Sequence, residues 1–254
     1  METFIKNITK KAGKVLKEKF RAVGVKYTKE DVYDVVTEAD LLSNDVLVTA
    51  IKKRYPKHGI ISEETGEYQK NAEHLWIIDP LDGTLNFSTH VPNFGVMVAL
   101  AKNRRIVLAA IYCPMFDEFV FAKKGGGAYL NGTKITCSKK KKITESIGCM
   151  SASLSPQNKW LWERLIKKSE QGKFIINAFY TIAVETLYMA SGRRDWKISR
   201  YGYVWDYAAP SLILKEAGCR VTTLEGAQWG LNDRSLIAAN PRLYKELMEM
   251  MKAK

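Results

Sequence analysis

Along residues 2 to 20 the apolar positions Phe4, Ile5, Ile8, Ala12, Val15, Leu16 and Phe20 recur at helical spacing, which predicts an amphipathic helix. A second helix is expected to open at Thr37, with Asp40 three positions on in the manner of a capping box. It carries Leu41, Leu42, Val46, Leu47 and Ile51 and must stop before Pro56. The short apolar piece GIIS then leads to Glu63 and Glu64, and the strand WII runs up to Asp79 and Asp82. From Phe94 to Ser138 the period becomes two. GVMVALAK, RIVLAAIY, EFVFAKK, GAYLN and KITCS are short β-type runs separated by brief loops, which predicts an antiparallel sheet. From about Ile147 onward strands and helices alternate: IGCMSAS, WLWERLIKK, FIINAF, a helix through Leu187, RDWKIS, a helix from Trp205 to Ala217, RVTT, SLIAAN and LYKELMEMM. The expected fold is α+β passing into α/β. Residues 1–146 would form an N-terminal lobe with an antiparallel sheet and residues 147–254 an alternating C-terminal lobe.

Composition narrows the class. In 254 residues, 46% are hydrophobic and 26% charged, which is an ordinary globular balance and ample for a buried core. No apolar run reaches the roughly 18 residues of a membrane span. The N-terminus is basic and amphipathic and lacks the apolar core and cleavage site of a signal peptide. Cys113, Cys137, Cys149 and Cys219 are scattered without a CxxC pair, which points to reduced thiols and a cytoplasmic protein. The net charge of +13 would attract anions, among them phosphorylated metabolites or nucleic acid. The run Lys139 to Lys142 has no interleaved aromatics, so it is expected to be a solvated loop and nucleic-acid binding is not favoured. His58 and His74 are expected to be exposed, and His90 to play no part in catalysis.

Three carboxylate clusters fall at element ends: Glu63 and Glu64 after GIIS, Asp79 and Asp82 after WII, and Asp206 at a helix start. Brought together they would repel one another unless cations intervened. The donors are hard oxygens, which suits Mg²⁺ or Mn²⁺ and argues against zinc. Two such ions in one cleft would serve hydrolysis of a phosphate ester. Behind the aspartates, Gly83 allows close approach of a ligand. Gly83 and Thr84 begin a short helix whose amides could receive phosphate, and the Thr84 hydroxyl could orient water. Taken singly, each piece also reads as an ordinary turn, cap or surface pair.

The series DVVTEAD (34–40), EE (63–64), WIIDPLDGTLNF (76–87), GGGAYLNG (125–132) and WDYAAPSLILKEAGC (205–219) resembles the inositol monophosphatase family, in order and over nearly the whole chain. The resemblance implies a layered αβαβα fold, commonly a homodimer, that hydrolyses small phosphomonoesters with magnesium. By position it implies a first metal site from Glu63, Asp79 and the Leu81 carbonyl, and a second from Asp79, Asp82 and Asp206. A weaker third ion would lie at Glu63, which thereby joins the catalytic set. Thr84 with Asp40 would activate water, with Asp34, Thr37 and Glu64 in support. The pattern departs from the family on the alcohol side. Ser199 stands where a glutamate is usual, Tyr180 replaces a glycine, and Thr89 replaces a histidine. Ser199 cannot repel an anion as glutamate would, and with Arg193, Arg194, Lys197 and Arg200 nearby it predicts that bisphosphates are preferred, the alternative being that this segment is a solvated basic strand end. Rival activities on the same fold are fructose bisphosphatase, nucleotide 3′-phosphatase and histidinol phosphatase. A rival of another class is a scaffold for RNA or a transcription complex.

Overall fold

The computed structural model describes residues 1–22, 24–29, 35–151, 153 and 155–252. Two leading helices, α1 (Glu2–Lys19) and α2 (Glu38–Arg54), flank the antiparallel pair β1 (Val25–Thr28) and β2 (Val35–Thr37). Next come β3 (Gly59–Ser62), β4 (Gly66–Tyr68), β5 (His74–Asp82), the short α3 (Thr84–Ser88), β6 (Gly95–Lys102), β7 (Arg105–Cys113), β8 (Glu118–Lys123), β9 (Gly127–Leu130) and β10 (Thr133–Ile135). These strands form one eight-stranded sheet in the order β10-β9-β8-β7-β6-β5-β3-β4. The remainder is β11 (Ile147–Ser151), α4 (Lys159–Ser169), β12 (Ile175–Asn177), α5 (Ile182–Ala190), β13 (Trp196–Arg200), α6 (Val204–Glu216), β14 (Arg220–Thr222), β15 (Ser235–Ala239) and α7 (Pro241–Lys252). Its strands make a five-stranded mixed sheet ordered β12-β11-β13-β15-β14.

Residue alternation stacks these elements in five layers. On β5 and β6, Trp76, Ile78, Val96 and Val98 face α1 and α2, where Ile5, Leu16, Leu47 and Ile51 meet them. Ile77, Met97 and Ala99 point the other way, into a core shared with Leu187 of α5 and Ile213 of α6. Across that helical layer lie Leu236 and Ala238 of β15. Ile237 and Ile198 face outward onto α4 and α7 through Leu161, Leu165, Leu243 and Leu247. Both sheets are covered on both faces, which is why β6 reads as a nearly unbroken apolar run. The expected αβαβα layering is what the chain adopts.

Two local expectations need correction. The strands of the Phe94–Ser138 stretch, β6 to β10, pair antiparallel as expected, but the eight-stranded sheet is not wholly antiparallel, because β3 and β5 run parallel, Ile60 beside Trp76. The strand β5 also does not stop before the aspartates. It continues through Pro80 to Asp82, with Asp79 opposite Met97 and Asp82 opposite Gly95. Three steps on β5 therefore match two on β6, and one residue is extra. Such a bulge changes which way side chains point. In a regular strand residues three apart face opposite sides; the extra residue puts Asp79 and Asp82 on the same side.

The leading helix cap is as expected. The Thr37 hydroxyl accepts from the Ala39 amide, and the Asp40 carboxylate accepts from the Thr37 amide at 2.7 Å. Helix α2 ends at Arg54 with Tyr55 as its C-cap, and the next residue, Pro56, bars continuation. His58 and His74 are half-buried, contrary to expectation. Their rings stack at 4.8 Å, and Trp76 Nε1–H donates to His58 Nδ1 at 3.0 Å. Among the described residues no helix is long and apolar enough to cross a membrane.

Candidate metal centre

Four element ends converge where β5 bulges. The bulge is held from behind by α2, whose Ser43 hydroxyl donates to the Pro80 carbonyl at 2.6 Å. Asp82 points at the N-terminus of α5. Its carboxylate accepts the Ile182 amide at 3.0 Å, the Ala183 amide at 2.8 Å and the Thr181 hydroxyl. Asp206 is the third residue of α6 and accepts the Tyr203 amide at 2.5 Å. These amides are the donors that a helix start leaves without internal partners, so the local fold itself selects anions here.

Ligand oxygens of Asp79, Asp82 and Asp206 lie within 4.8 Å of one another. Asp79 and Asp82 are 2% and 7% exposed. Among the described residues, Asp79 Oδ1 is buried without a hydrogen-bond partner. Burial, and then repulsion from Glu63, Asp82 and Asp206, pushes the Asp79 carboxyl well up from its ordinary range. Asp82 is pushed up by burial against the pull of its Thr181, Ala183 and Ile182 donors. Asp206 rises to about 7, chiefly through burial. Carboxylates that burial, with mutual repulsion behind it, holds above their ordinary range, one oxygen among the described residues being unpaired, leave a place for further positive charge. Hard divalent cations fit that place and that donor set.

Glu63 stands beside the triad without joining it. Lys29 Nζ lies 2.9 Å from Glu63 Oε1 and 2.8 Å from Glu64 Oε1. Burial still raises Glu63 to about 8 despite Lys29. Lys29 was not picked out from the sequence. Its only signal was a lysine in a polar stretch, and the β1–β2 pair that presents it was not predicted. The Leu81 carbonyl accepts the Thr84 hydroxyl at 2.9 Å, and the same hydroxyl lies 3.0 Å from Asp40 Oδ1. Thr37 donates to the other Asp40 oxygen through its amide and hydroxyl. Burial lifts Asp40 to about 6. Asp34 lies outside the described residues.

On the alcohol side the structure separates the expected residues. Gly83 has φ +88°, and a Cβ there would stand 2.9 Å from the Asn93 carbonyl and 3.0 Å from Thr181 Cβ. Tyr180 has φ +53° and is 62% exposed, a left-handed residue where the family uses glycine. Asn86, whose role the sequence did not reveal, holds that turn by donating to the Phe179 carbonyl at 2.8 Å. Tyr180, Thr181 and Asp82 share a cavity of about 270 Å³ with Ser151 and Ile182. Ser199 and Arg200 are corrections. The Ser199 hydroxyl is 1% exposed and pairs with the Tyr207 hydroxyl at 3.0 Å. The Arg200 guanidinium is spent on the Gln157 carbonyl, Asn158 Oδ1 and the Tyr201 hydroxyl, and stacks on Trp160. Strand alternation turns it to the face opposite Ser199. Neither residue lines the cavity beside Asp82.

The model of the inositol monophosphatase family matches residues 1–253. The chain belongs to the inositol monophosphatase family. Within that family it is 31% identical over 218 residues to a fructose-1,6-bisphosphatase/inositol-1-monophosphatase of Thermotoga maritima, covering 86% of this chain and 82% of the relative. It is 32% identical to the Nus factor SuhB of Haemophilus influenzae, covering 96% and 92%. The extragenic suppressor protein suhB of Bartonella henselae superposes with a TM-score of 0.92 at 29% identity, over 98% of this chain and 97% of that one. The inositol monophosphatase family and the first of these names support a phosphatase.

Proposed function

We propose that this chain is a Mg²⁺-dependent hydrolase of phosphomonoesters whose alcohol is small and uncharged. The observation that carries the reading is the meeting of Asp79, Asp82 and Asp206 within 4.8 Å, the first two buried and the third half-buried. In this reading they hold the cations, with Glu63 and the Leu81 carbonyl completing the set. When bound, Mg²⁺ supplies charge to the phosphoryl oxygens and acidifies water. The Thr84 hydroxyl has one proton, directed to Asp40 and the Leu81 carbonyl, so towards a water it can only accept. A water donating to Thr84 is oriented for attack, and the proton it loses can pass through Thr84 to Asp40. With its pKa held at about 6, Asp40 is ionised at neutral pH yet basic enough to take that proton.

The alcohol side supports a monophosphate. Among the described residues, no lysine, arginine or histidine lines the 270 Å³ cavity beside Asp82. A second phosphate would find no cation there, and Arg200 is engaged elsewhere. This reverses the expected preference for bisphosphates. Of the two activities in the Thermotoga relative's name, the cavity favours the second.

Phosphate release from a panel of sugar, polyol and nucleotide phosphates, with Mg²⁺ and with excess chelator, tests the reading. Hydrolysis that is strongest on polyol monophosphates and abolished by chelation is expected; full activity after exhaustive chelation refutes it. The second reading, an RNA-binding scaffold, draws on the +13 charge and on the relative named Nus factor SuhB. Hydrolysis of no substrate, together with a salt-steep RNA affinity unchanged by Asp79→Asn, would favour it.

A further inference from the structure

Behind the cavity lies a buried ion pair that the reaction above does not use. Glu185 on α5 and Lys197 on β13 are both fully buried and in direct contact. Taking both charges out of water costs several kcal/mol per ion, and apolar residues of similar volume often serve a core as well. The pair therefore asks for a use beyond packing. Among the described residues its one further hydrogen-bond partner is Ser151, at the end of β11. The Ser151 hydroxyl donates to Glu185 Oε2 at 2.6 Å and accepts from Lys197 Nζ at 3.0 Å. The parallel register explains the meeting: Lys197 sits opposite Cys149 and Ser199 opposite Ser151, so alternation brings all four side chains to the face that α5 covers.

We propose that Ser151 reads the alcohol of the substrate, and that the Lys197–Glu185 pair is there to fix its hydroxyl as an acceptor. Ser151 lines the same cavity as Asp82. A serine hydroxyl has one proton and two lone pairs. Glu185 takes the proton and Lys197 one lone pair, which leaves a single lone pair. That lone pair suits a donor, such as a free hydroxyl of a polyol ester. A second phosphate or a carboxylate, which offers only acceptors when ionised, gains nothing from it. Ser151 is thus a specificity residue, and Glu185 and Lys197 are positioning residues acting through it. The inference rests on the phosphatase reading and adds the residue that selects the substrate.

The experiment compares kcat/KM for inositol 1-phosphate, which has free hydroxyls, with that for 4-nitrophenyl phosphate, which has none. For Ser151→Ala the ratio between the two should fall about tenfold, mainly through KM of the inositol ester. Ser151→Thr, which keeps the hydroxyl, should restore most of it. The double variant Lys197→Met with Glu185→Met keeps volume and removes both charges. It should lower the ratio as Ser151→Ala does, and adding Ser151→Ala to it should change the ratio no further. A ratio unmoved by Ser151→Ala, or additive effects of Ser151→Ala and the double variant, would overturn the proposal while leaving the phosphatase reading intact. Absence of Mg²⁺-dependent release from both substrates in the native protein would overturn the phosphatase reading, and this proposal with it.

Discussion

Asp79 carries two opposed demands. Among the described residues its buried oxygen has no partner, and four neighbouring carboxylates, Glu63, Asp82, Asp206 and Asp40, repel its charge. Asp79→Asn removes the charge at nearly constant shape. Near pH 8 and without metal it should therefore raise the melting temperature, while Mg²⁺-dependent phosphate release is lost. That is the trade expected where a site is strained for function. Thermal unfolding with chelator, beside a phosphate-release assay, checks both halves, and a variant less stable than the native chain without metal would contradict the first. Thr84 is a different case, since its hydroxyl binds Asp40 and the Leu81 carbonyl and the residue does not line the cavity beside Asp82. Thr84→Ala should lower kcat about 10²-fold with little change in KM, and Thr84→Ser should keep most activity. A rise in KM with kcat intact would assign Thr84 to binding instead.

One element-scale feature, the bulge in β5, decides whether the site exists. The motif DPLDG was legible as a place where carboxylates cluster, and its residues were named from the sequence. That the strand runs on through Pro80, with one residue extra against β6, was not legible, because a bulge is defined by the partner strand. The same reason hid the parallel β3–β5 pair and the contacts of Lys29, Ser199 and Arg200, all of which depend on what the fold brings alongside. The layering was legible only through the family resemblance, since which elements cover each face of β5 and β6 is settled by distant parts of the chain; the α2 cap was legible because its signal is local. Gly83 closes the bulge into α3 in a left-handed conformation. Gly83→Ala should cost at least about 1–2 kcal/mol from backbone strain. Its Cβ would also press on Thr181, which holds Asp82. Loss of Mg²⁺-induced stabilisation along with the fall in melting temperature is expected; a stable variant with a native Mg²⁺ response would show that the glycine is dispensable.

For the molecule as a whole, the raised carboxylates link folding to pH, and in the proposed reading to metal. Asp40 is held at about 6, Asp206 at about 7 and Glu63 at about 8, and Asp79 and Asp82 are also raised, all first by burial. In the unfolded chain such groups titrate near 4. Between about pH 4 and 8 the metal-free native state therefore holds more protons than the unfolded one. Stability contributed by these groups is present in full at low pH and is lost as pH rises through the folded values. The melting temperature with chelator should fall as pH is raised from about 5 to 8. Divalent cations need the ionised carboxylates, so their affinity should rise over the same interval, and binding should release protons. Each hundredfold excess of Mg²⁺ over its dissociation constant adds about 2.7 kcal/mol to the folded state. The difference in melting temperature between Mg²⁺ and chelator should thus widen with pH. Calorimetric titration in buffers of different ionisation enthalpy should detect proton release that shrinks towards pH 9. A Mg²⁺ shift that stays constant from pH 5.5 to 8.5, or a metal-free protein that grows more stable across that range, would mean that the carboxylates are neutralised from within and that the centre is not built for a cation.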